Sequence, residues 1–127
     1  MKSIDLYSAT LSLGRDSVLL VKYKDGIQID LEESKKLVAA ALELVNNNPF
    51  YIFMDATDIH SSMDHDSRKY FTEHKEVNRL CIAQAIIVNS FHISLLANFY
   101  LKFYRHDYPV KIFSNVDDGG YWLLSNT

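Results

Sequence analysis

The sequence predicts one α/β domain, with a mixed β-sheet of about five strands and about four helices packed on it. The length of 127 residues matches the usual size of a single domain. Hydrophobic residues make up 48% of the chain and aromatic residues 13%, enough for a core without disulfides or metals. After an N-terminal strand pair, short apolar runs alternate with segments of helical periodicity. Strands separated by helices pair in parallel with right-handed connections, so residues 1–127 are expected to form one such domain.

The N-terminal part of the chain is predicted to form an antiparallel hairpin. Apolar and polar residues alternate in Tyr7–Leu13, and a second strand pattern covers Ser17–Tyr23. The residues between them, Gly14–Asp16, favour a turn. The pattern leaves open whether Ile27 and Ile29 prolong this sheet or recross its edge.

The next segment is predicted to be an amphipathic helix from Leu31 to about Val45. Asp30 followed by Glu33 resembles a capping box at its start, and the three asparagines at positions 46–48 end it. On a helical wheel its apolar residues fall within an arc of roughly 160°, with the charged residues opposite. One face of this helix is therefore expected to pack on the sheet.

The remainder of the chain is predicted to alternate between strands and helices. Phe50–Met54 follows Pro49 as a continuous apolar strand, which suits a central position covered on both faces. Leu80–Val88 is a second strand of this kind. The other predicted elements are a second helix over Asp64–Arg79, a third from Ser90 to about Tyr104, a strand over Val110–Phe113 and a final short helix over Asp117–Leu124.

Charge and hydropathy exclude several classes of partner. The net charge of −3 and the pI near 5.9 give no field that attracts nucleic acid or an anionic membrane. No segment approaches the roughly 20 apolar residues of a membrane span, and the N-terminus does not resemble a signal sequence. We therefore expect a cytoplasmic protein without integral membrane association. Cys81 is the single cysteine and is expected to be a buried, inert thiol.

The sequence contains none of the common catalytic or cofactor-binding signatures. Its four glycines, at positions 14, 26, 119 and 120, form neither GxGxxG nor GxxxxGK[ST]. GxSxG, HExxH and EF-hand spacings are also absent. His92, Ser94 and Asp107 have no spacing that identifies a nucleophilic triad. We predict a protein that is not an enzyme and that has no cofactor and no catalytic residue.

The polar loop after the first central strand is the strongest candidate for a site. Aspartate, serine and histidine are concentrated between residues 55 and 66. No spacing supports a metal site there, and turn and helix-cap roles explain the same residues. Asp55 ends its strand where ligand crevices form in open α/β sheets, although its carboxylate could equally accept hydrogen bonds from the loop. The predicted regulatory or interaction residues are Asp55, Asp58, Ser61 and Ser62.

The predicted third helix carries more apolar surface than one sheet contact requires. Its apolar residues cover an arc of roughly 180°, and Phe99, Tyr100, Phe103 and Tyr104 are predicted to form a ligand or partner face. Three explanations stay open. The C-terminal segment 121–124 covers these rings, a second copy of the chain covers them in a homodimer, or they line a cavity for an apolar ligand.

Three stretches of the chain carry a family resemblance: VLLVKYKDGIQIDLEESKKLV, FYIFMDATDI and YPVKIFSNVDDGGYWLL. Together with the order of elements, they resemble the small bacterial STAS-like proteins, which are relatives of the anti-sigma-factor antagonists. The likeness spans nearly the whole chain, and its anchors are Asp25, Gly26, Asp55 and Pro109. It implies a STAS-like fold and a role in protein–protein contacts.

The resemblance also implies a place for a regulatory serine. In anti-sigma-factor antagonists, a phosphorylatable serine in an Asp-Ser-Ser-Gly segment opens the second helix and switches partner binding. This chain has HSSMD near that point, so Ser62 is the nearest equivalent and Ser61 the second. A phosphate there would meet the helix N-terminus, but nearby aspartates would repel it and the Asp-Ser-Ser-Gly motif is missing.

The leading hypothesis is a non-enzymatic STAS-like domain that binds an unknown protein partner through the loop from Asp55 to Asp64, and it leaves open whether the third helix also contacts that partner. The alternative is a binder of a small apolar or amphipathic ligand beneath the third helix, because that helix carries excess apolar surface. The resemblance also extends to lipid-binding folds of similar topology, which bind apolar ligands beneath helices. A homodimer through the third helix is a further hypothesis. An enzymatic role would depend on the Asp and His residues of the loop alone.

Overall fold

The computed structural model describes residues 2–57, 62–90, 94, 95, 98, 101, 102 and 106–126. The strands are β1 (Lys2–Asp5), β2 (Ala9–Leu13), β3 (Val18–Tyr23), β4 (Gln28–Ile29), β5 (Phe50–Asp55), β6 (Ser62–Met63), β7 (Cys81–Ile87) and β8 (Val110–Phe113). The helices with described bounds are α1 (Leu31–Val45), α2 (His65–Glu73), α3 (Lys75–Leu80) and α4 (Val116–Leu124), and a 3₁₀ turn covers Arg15–Ser17. Between β7 and β8, the described residues 94, 95, 98, 101 and 102 are helical.

The main sheet has six strands in the order β1-β2-β3-β5-β7-β8. The first three strands are antiparallel, and β3, β5, β7 and β8 are parallel. This confirms the predicted mixed sheet with an N-terminal hairpin, but the strand count is higher than predicted because β1 was missed. Lys2–Asp5 contains a single apolar side chain, Ile4, and lies at the sheet edge, where little burial marks a strand in the sequence.

A second, two-stranded sheet pairs β4 with β6 in parallel, Gln28 opposite Ser62 and Ile29 opposite Met63. Ile29 therefore neither prolongs the main sheet nor recrosses its edge. Its side chain is buried in the main core. Each of these short strands leads directly into a helix, so the pair brings the starts of α1 and α2 together.

Helix α1 has the bounds that the sequence predicts. Asp30 Oδ1 accepts a hydrogen bond from Glu33 N at 2.9 Å, which caps the helix. The Glu33 side chain does not complete a capping box. Its Oε2 instead accepts hydrogen bonds from Ser8 N at 3.1 Å and Ser8 Oγ at 2.7 Å, and both residues are buried. This carboxylate therefore ties α1 to the turn between β1 and β2.

The predicted second helix is two helices that are separated at His74. The ψ angle of His74 is 119°, which interrupts the helix, and its Nδ1 accepts a hydrogen bond from Val77 N at 3.4 Å. Asn78 Nδ2 donates to the carbonyls of Thr72 at 2.8 Å and His74 at 2.9 Å. The His74 carbonyl also accepts the Asn78 backbone N–H at 3.0 Å, so Asn78 bonds to both sides of the break. The single predicted helix over Asp64–Arg79 was therefore wrong.

The sheet buries apolar side chains on both faces. On one face, α1, α2 and α3 cover a core that includes Leu11, Leu19, Val21, Leu37 and Phe50. On the other face, α4 places Leu123 against Tyr51, Ala83 and Ala85, while the Trp122 and Phe113 ring centroids lie 5.6 Å apart. No helix in the described part of the chain is long and apolar enough to span a bilayer.

Cys81 is buried at the start of β7. Burial raises the pKa of its thiol to about 12. The thiol is therefore protonated at neutral pH, as expected for an inert core cysteine.

The close packing of α4 on the sheet predicts that alanine substitutions at two adjacent glycines differ in their effect on stability. A Cβ atom at Gly119 would lie 2.5 Å from Ile87 Cδ1, whereas one at Gly120 would meet nothing within 4 Å. Both substitutions add the same helix propensity, so Gly119→Ala should be about 2 kcal/mol less stable than Gly120→Ala because of overpacking. Urea unfolding of the two variants measures this difference, and equal stabilities would contradict the packing described.

A second prediction concerns the buried carboxylate of Glu33. Glu33→Ala leaves the Ser8 N–H and hydroxyl without their acceptor and should lower the free energy of unfolding by about 3 kcal/mol. Glu33→Gln keeps an acceptor oxygen and should lower the free energy of unfolding by less than half of the loss expected for Glu33→Ala. Glu32→Ala, an exposed neighbour, is the matched control and should change stability by less than about 0.5 kcal/mol. Similar losses for the Glu32 and Glu33 alanine variants would show that Glu33 does not tie α1 to the hairpin.

Candidate functional site

The loop between β5 and α2 lies at the edge of the sheet where the parallel strands end. Because β3, β5, β7 and β8 point the same way, their carboxyl ends share this edge. Both ends of the loop are described, at Asp55–Thr57 and at Ser62–Asp64, and positions 58–61 lie outside the described residues. The site is therefore built from the contacts that hold these two ends.

The first end of the loop is held by the carboxylate of Asp55. Its Oδ1 accepts hydrogen bonds from Thr57 N at 3.0 Å and Thr57 Oγ1 at 2.6 Å. Its Oδ2 pairs with Lys22 Nζ at 3.1 Å, and Lys22 Nζ also donates to Thr57 Oγ1 at 3.5 Å. Lys22 and Asp55 are cross-strand neighbours on β3 and β5. The carboxylate thus accepts hydrogen bonds from the loop, which is one of the two roles that its position predicts.

The electrostatics of Asp55 favour its charged form. Burial alone would raise the pKa of this carboxyl, but the hydrogen bonds from the Thr57 hydroxyl and N–H and the contact with Lys22 outweigh it, and the pKa is lowered. Asp55 is therefore a carboxylate at neutral pH. With three donors already bound to it, its main role is to fix the chain that leaves β5.

The second end of the loop is held by the pairing of β6 with β4. The carbonyl of Ile29 accepts hydrogen bonds from Asp64 N at 3.4 Å and from the buried Ser67 Oγ at 3.0 Å. Asp64 Oδ1 accepts from Ser67 N at 2.9 Å and so caps α2. The chain therefore enters α2 at a fixed point beside the start of α1.

Of the other residues predicted for the site, only the backbone of Ser62 belongs to the described part of the chain. Ser62 contributes its backbone to β6 opposite Gln28. Asp58 and Ser61 lie outside the described residues, as do Phe99, Tyr100, Phe103 and Tyr104, so their roles as interaction, ligand or homodimer residues stay predictions. In the C-terminal segment, Trp122 and Leu123 pack on the sheet and Tyr121 is 82% exposed.

Sequence reasoning missed Lys22 and Thr57. Lys22 is the outward position of an alternating strand, which does not by itself identify a partner. The spacing Asp55-Ala56-Thr57 is a better signal, because an aspartate often accepts a hydrogen bond from the backbone N–H two residues later. This local pattern would have indicated the turn, whereas the contact with Lys22 depends on the pairing of β3 with β5.

An open groove between α1 and α2 adjoins the second end of the loop. It has a volume of about 610 Å³. Its lining residues are Leu31, Asp66, Lys69, Tyr70, Glu73 and His74. Sequence reasoning did not indicate this groove, because it requires the two helix starts to lie side by side. Within the described residues, no group of three or more His, Cys, Asp or Glu side chains could hold a metal ion.

The chain matches the sequence model of one protein family. A family model described as a domain of unknown function, DUF7793, matches residues 12–126. The chain belongs to this family. Membership of the DUF7793 family assigns no activity, but the matched range runs from β2 to the end of α4 and includes the whole β5–α2 loop.

Comparison with solved structures identifies the fold. The chain is similar to an uncharacterised protein of the DUF3478 family from Shewanella loihica PV-4, which has a SpoIIAA-like fold. The two are 16% identical, with a TM-score of 0.64 over 97% of this chain and 99% of that chain. This likeness confirms the predicted STAS-like fold and concerns the fold alone. No curated protein sequence matches the chain.

The contacts of Asp55 predict how its contribution to stability depends on pH. Its pKa is lowered from 3.8, so the stabilisation is fully present above that value and is lost as the pH falls through the folded-state pKa. Asp55→Asn should therefore be less stable than the wild type at pH 7, by about 1 kcal/mol or less because the ion pair is partly exposed. The difference should shrink below about pH 4.

Urea unfolding of the wild type and Asp55→Asn between pH 3 and pH 7 measures this difference. Lys22→Met, which removes one of the donors to the carboxylate, should show a smaller effect with the same sign. A difference between wild type and Asp55→Asn that stays constant down to pH 3 would contradict the arrangement described.

Proposed function

We propose that the protein is a non-enzymatic STAS-like domain of the bacterial cytoplasm that acts by binding a protein partner through the loop from Asp55 to Asp64. The observation that supports this most is that both ends of the loop are held in place at an exposed edge of the sheet. The Asp55, Thr57 and Lys22 contacts hold one end. The β4–β6 pairing and the Asp64 cap hold the other.

Holding the loop at both ends lowers the entropy lost when a partner binds. Ordering a free segment costs roughly 1 kcal/mol or more per residue, so fixing residues 55–57 and 62–64 in the free protein reduces the number of residues that binding has to order. The Asp55 carboxylate is engaged within the protein, which leaves the residues between the two ends as the groups that meet the partner. A polar loop on a rigid scaffold is a common arrangement for recognition.

The proposal predicts which variants lose the partner. The tagged wild type should capture a protein from a lysate of the source organism, which mass spectrometry identifies and which then binds as a purified protein. A loop variant that combines Asp58→Ala, His60→Ala and Ser61→Ala should weaken that affinity at least tenfold, as expected when central contact residues are removed. Isothermal titration calorimetry with the purified partner measures the affinity.

A matched control combines Lys36→Ala and Glu43→Ala, two exposed residues on α1 away from the loop. This variant should bind the partner with wild-type affinity. If the loop variant also binds with wild-type affinity, or if no protein binds the purified wild type, the proposed function is wrong.

A further inference from the structure

The groove between α1 and α2 has the composition of a protein-binding surface. On α2, Asp66, Tyr70 and Glu73 follow the spacing i, i+4, i+7 and so share one stripe of the helix. Tyr70 and Leu31 are half-buried and form an apolar floor, while Asp66 and Glu73 are exposed at the rim. An apolar centre with a charged rim is typical of surfaces that bind other proteins.

The two rim carboxylates of the groove differ from the carboxylates that are paired within the chain. Asp5 pairs with Lys24, Asp55 with Lys22, and Glu76 with Arg79. Among the described residues, neither Asp66 nor Glu73 makes an ion pair or a hydrogen bond through its side chain, and the Tyr70 hydroxyl makes no hydrogen bond. These groups are therefore free to bind charges and donors from outside the chain.

The charges that line the groove favour a cationic occupant. Lys69 also lines the groove, so the fixed charges of the lining residues sum to one negative charge. An acidic segment would meet two unpaired carboxylates. A basic segment would instead pair with both of them. Lys69, three residues after Asp66 and four before Glu73, neighbours both carboxylates and reduces this attraction without cancelling it.

We infer that this groove binds a segment of the protein partner in which two arginine side chains flank an apolar one, an inference that depends on the proposed function. A guanidinium binds a carboxylate through two parallel hydrogen bonds and stacks on a tyrosine ring, which lysine does less well. Asp66 and Glu73 are seven residues apart, or about 10 Å along a helix, so each needs its own arginine. The apolar side chain between them covers Leu31 and Tyr70.

The position of the groove connects it to the proposed binding loop. Asp64 ends the loop and caps α2, and Asp66 belongs to the first turn of that helix. A partner that contacts the loop therefore reaches the groove within two turns of α2. The groove is open to solvent and not enclosed, which suits a polypeptide segment better than a small buried ligand.

A peptide titration tests the chemistry of the groove directly. The probe is an alanine-based helical peptide with two arginines two turns apart and a leucine between them, added to isotope-labelled protein and followed by NMR. The amide signals of Leu31, Asp66 and Tyr70 should shift. Asp66→Asn combined with Glu73→Gln should weaken binding of the peptide about tenfold, because two exposed ion pairs are lost.

Matched controls separate this recognition from a general effect of charge. Glu43→Gln combined with Asp117→Asn changes the net charge equally, away from the groove, and should leave the affinity unchanged. A peptide with lysine in place of arginine should bind several-fold more weakly, and one with glutamate should not bind. The inference is wrong if the groove signals do not shift, or if the groove and control variants bind the arginine peptide equally.

The same groove variant distinguishes this inference from the proposed function. With the purified partner, Asp66→Asn combined with Glu73→Gln should weaken binding about tenfold. If it binds with wild-type affinity while the loop variant does not, the groove inference fails and the proposed function stands. If neither variant weakens binding, the proposed function fails as well.

Discussion

The parallel pairing of β4 with β6 is the contact on which the geometry of the site depends. The two strands are only two residues long, yet each leads into a helix through a capping aspartate, Asp30 or Asp64. The carbonyl of Ile29 accepts hydrogen bonds from Asp64 N and Ser67 Oγ, so α2 is attached to the strand that precedes α1. This attachment fixes the exit of the loop and brings the two helices together to form the groove.

Several carboxylates of the protein hold the fold, and two others line the groove without a partner in the described part of the chain. Those that hold the fold are engaged within the chain: Glu33 with Ser8, Asp55 with Thr57 and Lys22, and Asp64 with Ser67. Those at the rim of the groove, Asp66 and Glu73, make no such contacts in the described part of the chain. A carboxylate that already has partners within the fold is less available to a binding partner than one that has none.

Much of the fold could be predicted from the sequence because local signals agree with the tertiary structure. Helix α1 begins after the capping residue, buries the apolar face and ends at the asparagines that the sequence predicts. The continuous apolar runs correctly indicate the buried strands β5 and β7. Edge strand β1 has too few apolar residues to give a signal. At the break at His74, the Asn78 side chain donates hydrogen bonds to the carbonyls of Thr72 and His74. No periodicity in the sequence indicates these bonds.

The site was less predictable, since its key contacts join residues distant in sequence. Asp55 was a candidate because of its place at a strand end, but its ion pair with Lys22 requires β3 and β5 to be neighbours. The groove requires β4 to pair with β6, and a two-residue strand has no recognisable pattern. Glu33 matched a capping box in sequence, yet its side chain bonds to Ser8, which is 25 residues away.

The most direct test of this account is hydrogen–deuterium exchange of the free protein and of its complex with the purified partner. Backbone amides from residue 55 to the second turn of α2 should exchange more slowly in the complex, because the loop and the groove are covered. Amides of β8 and α4, on the far edge and the other face of the sheet, should be unchanged. Protection confined to β8 or α4, with none between residue 55 and α2, would contradict the account.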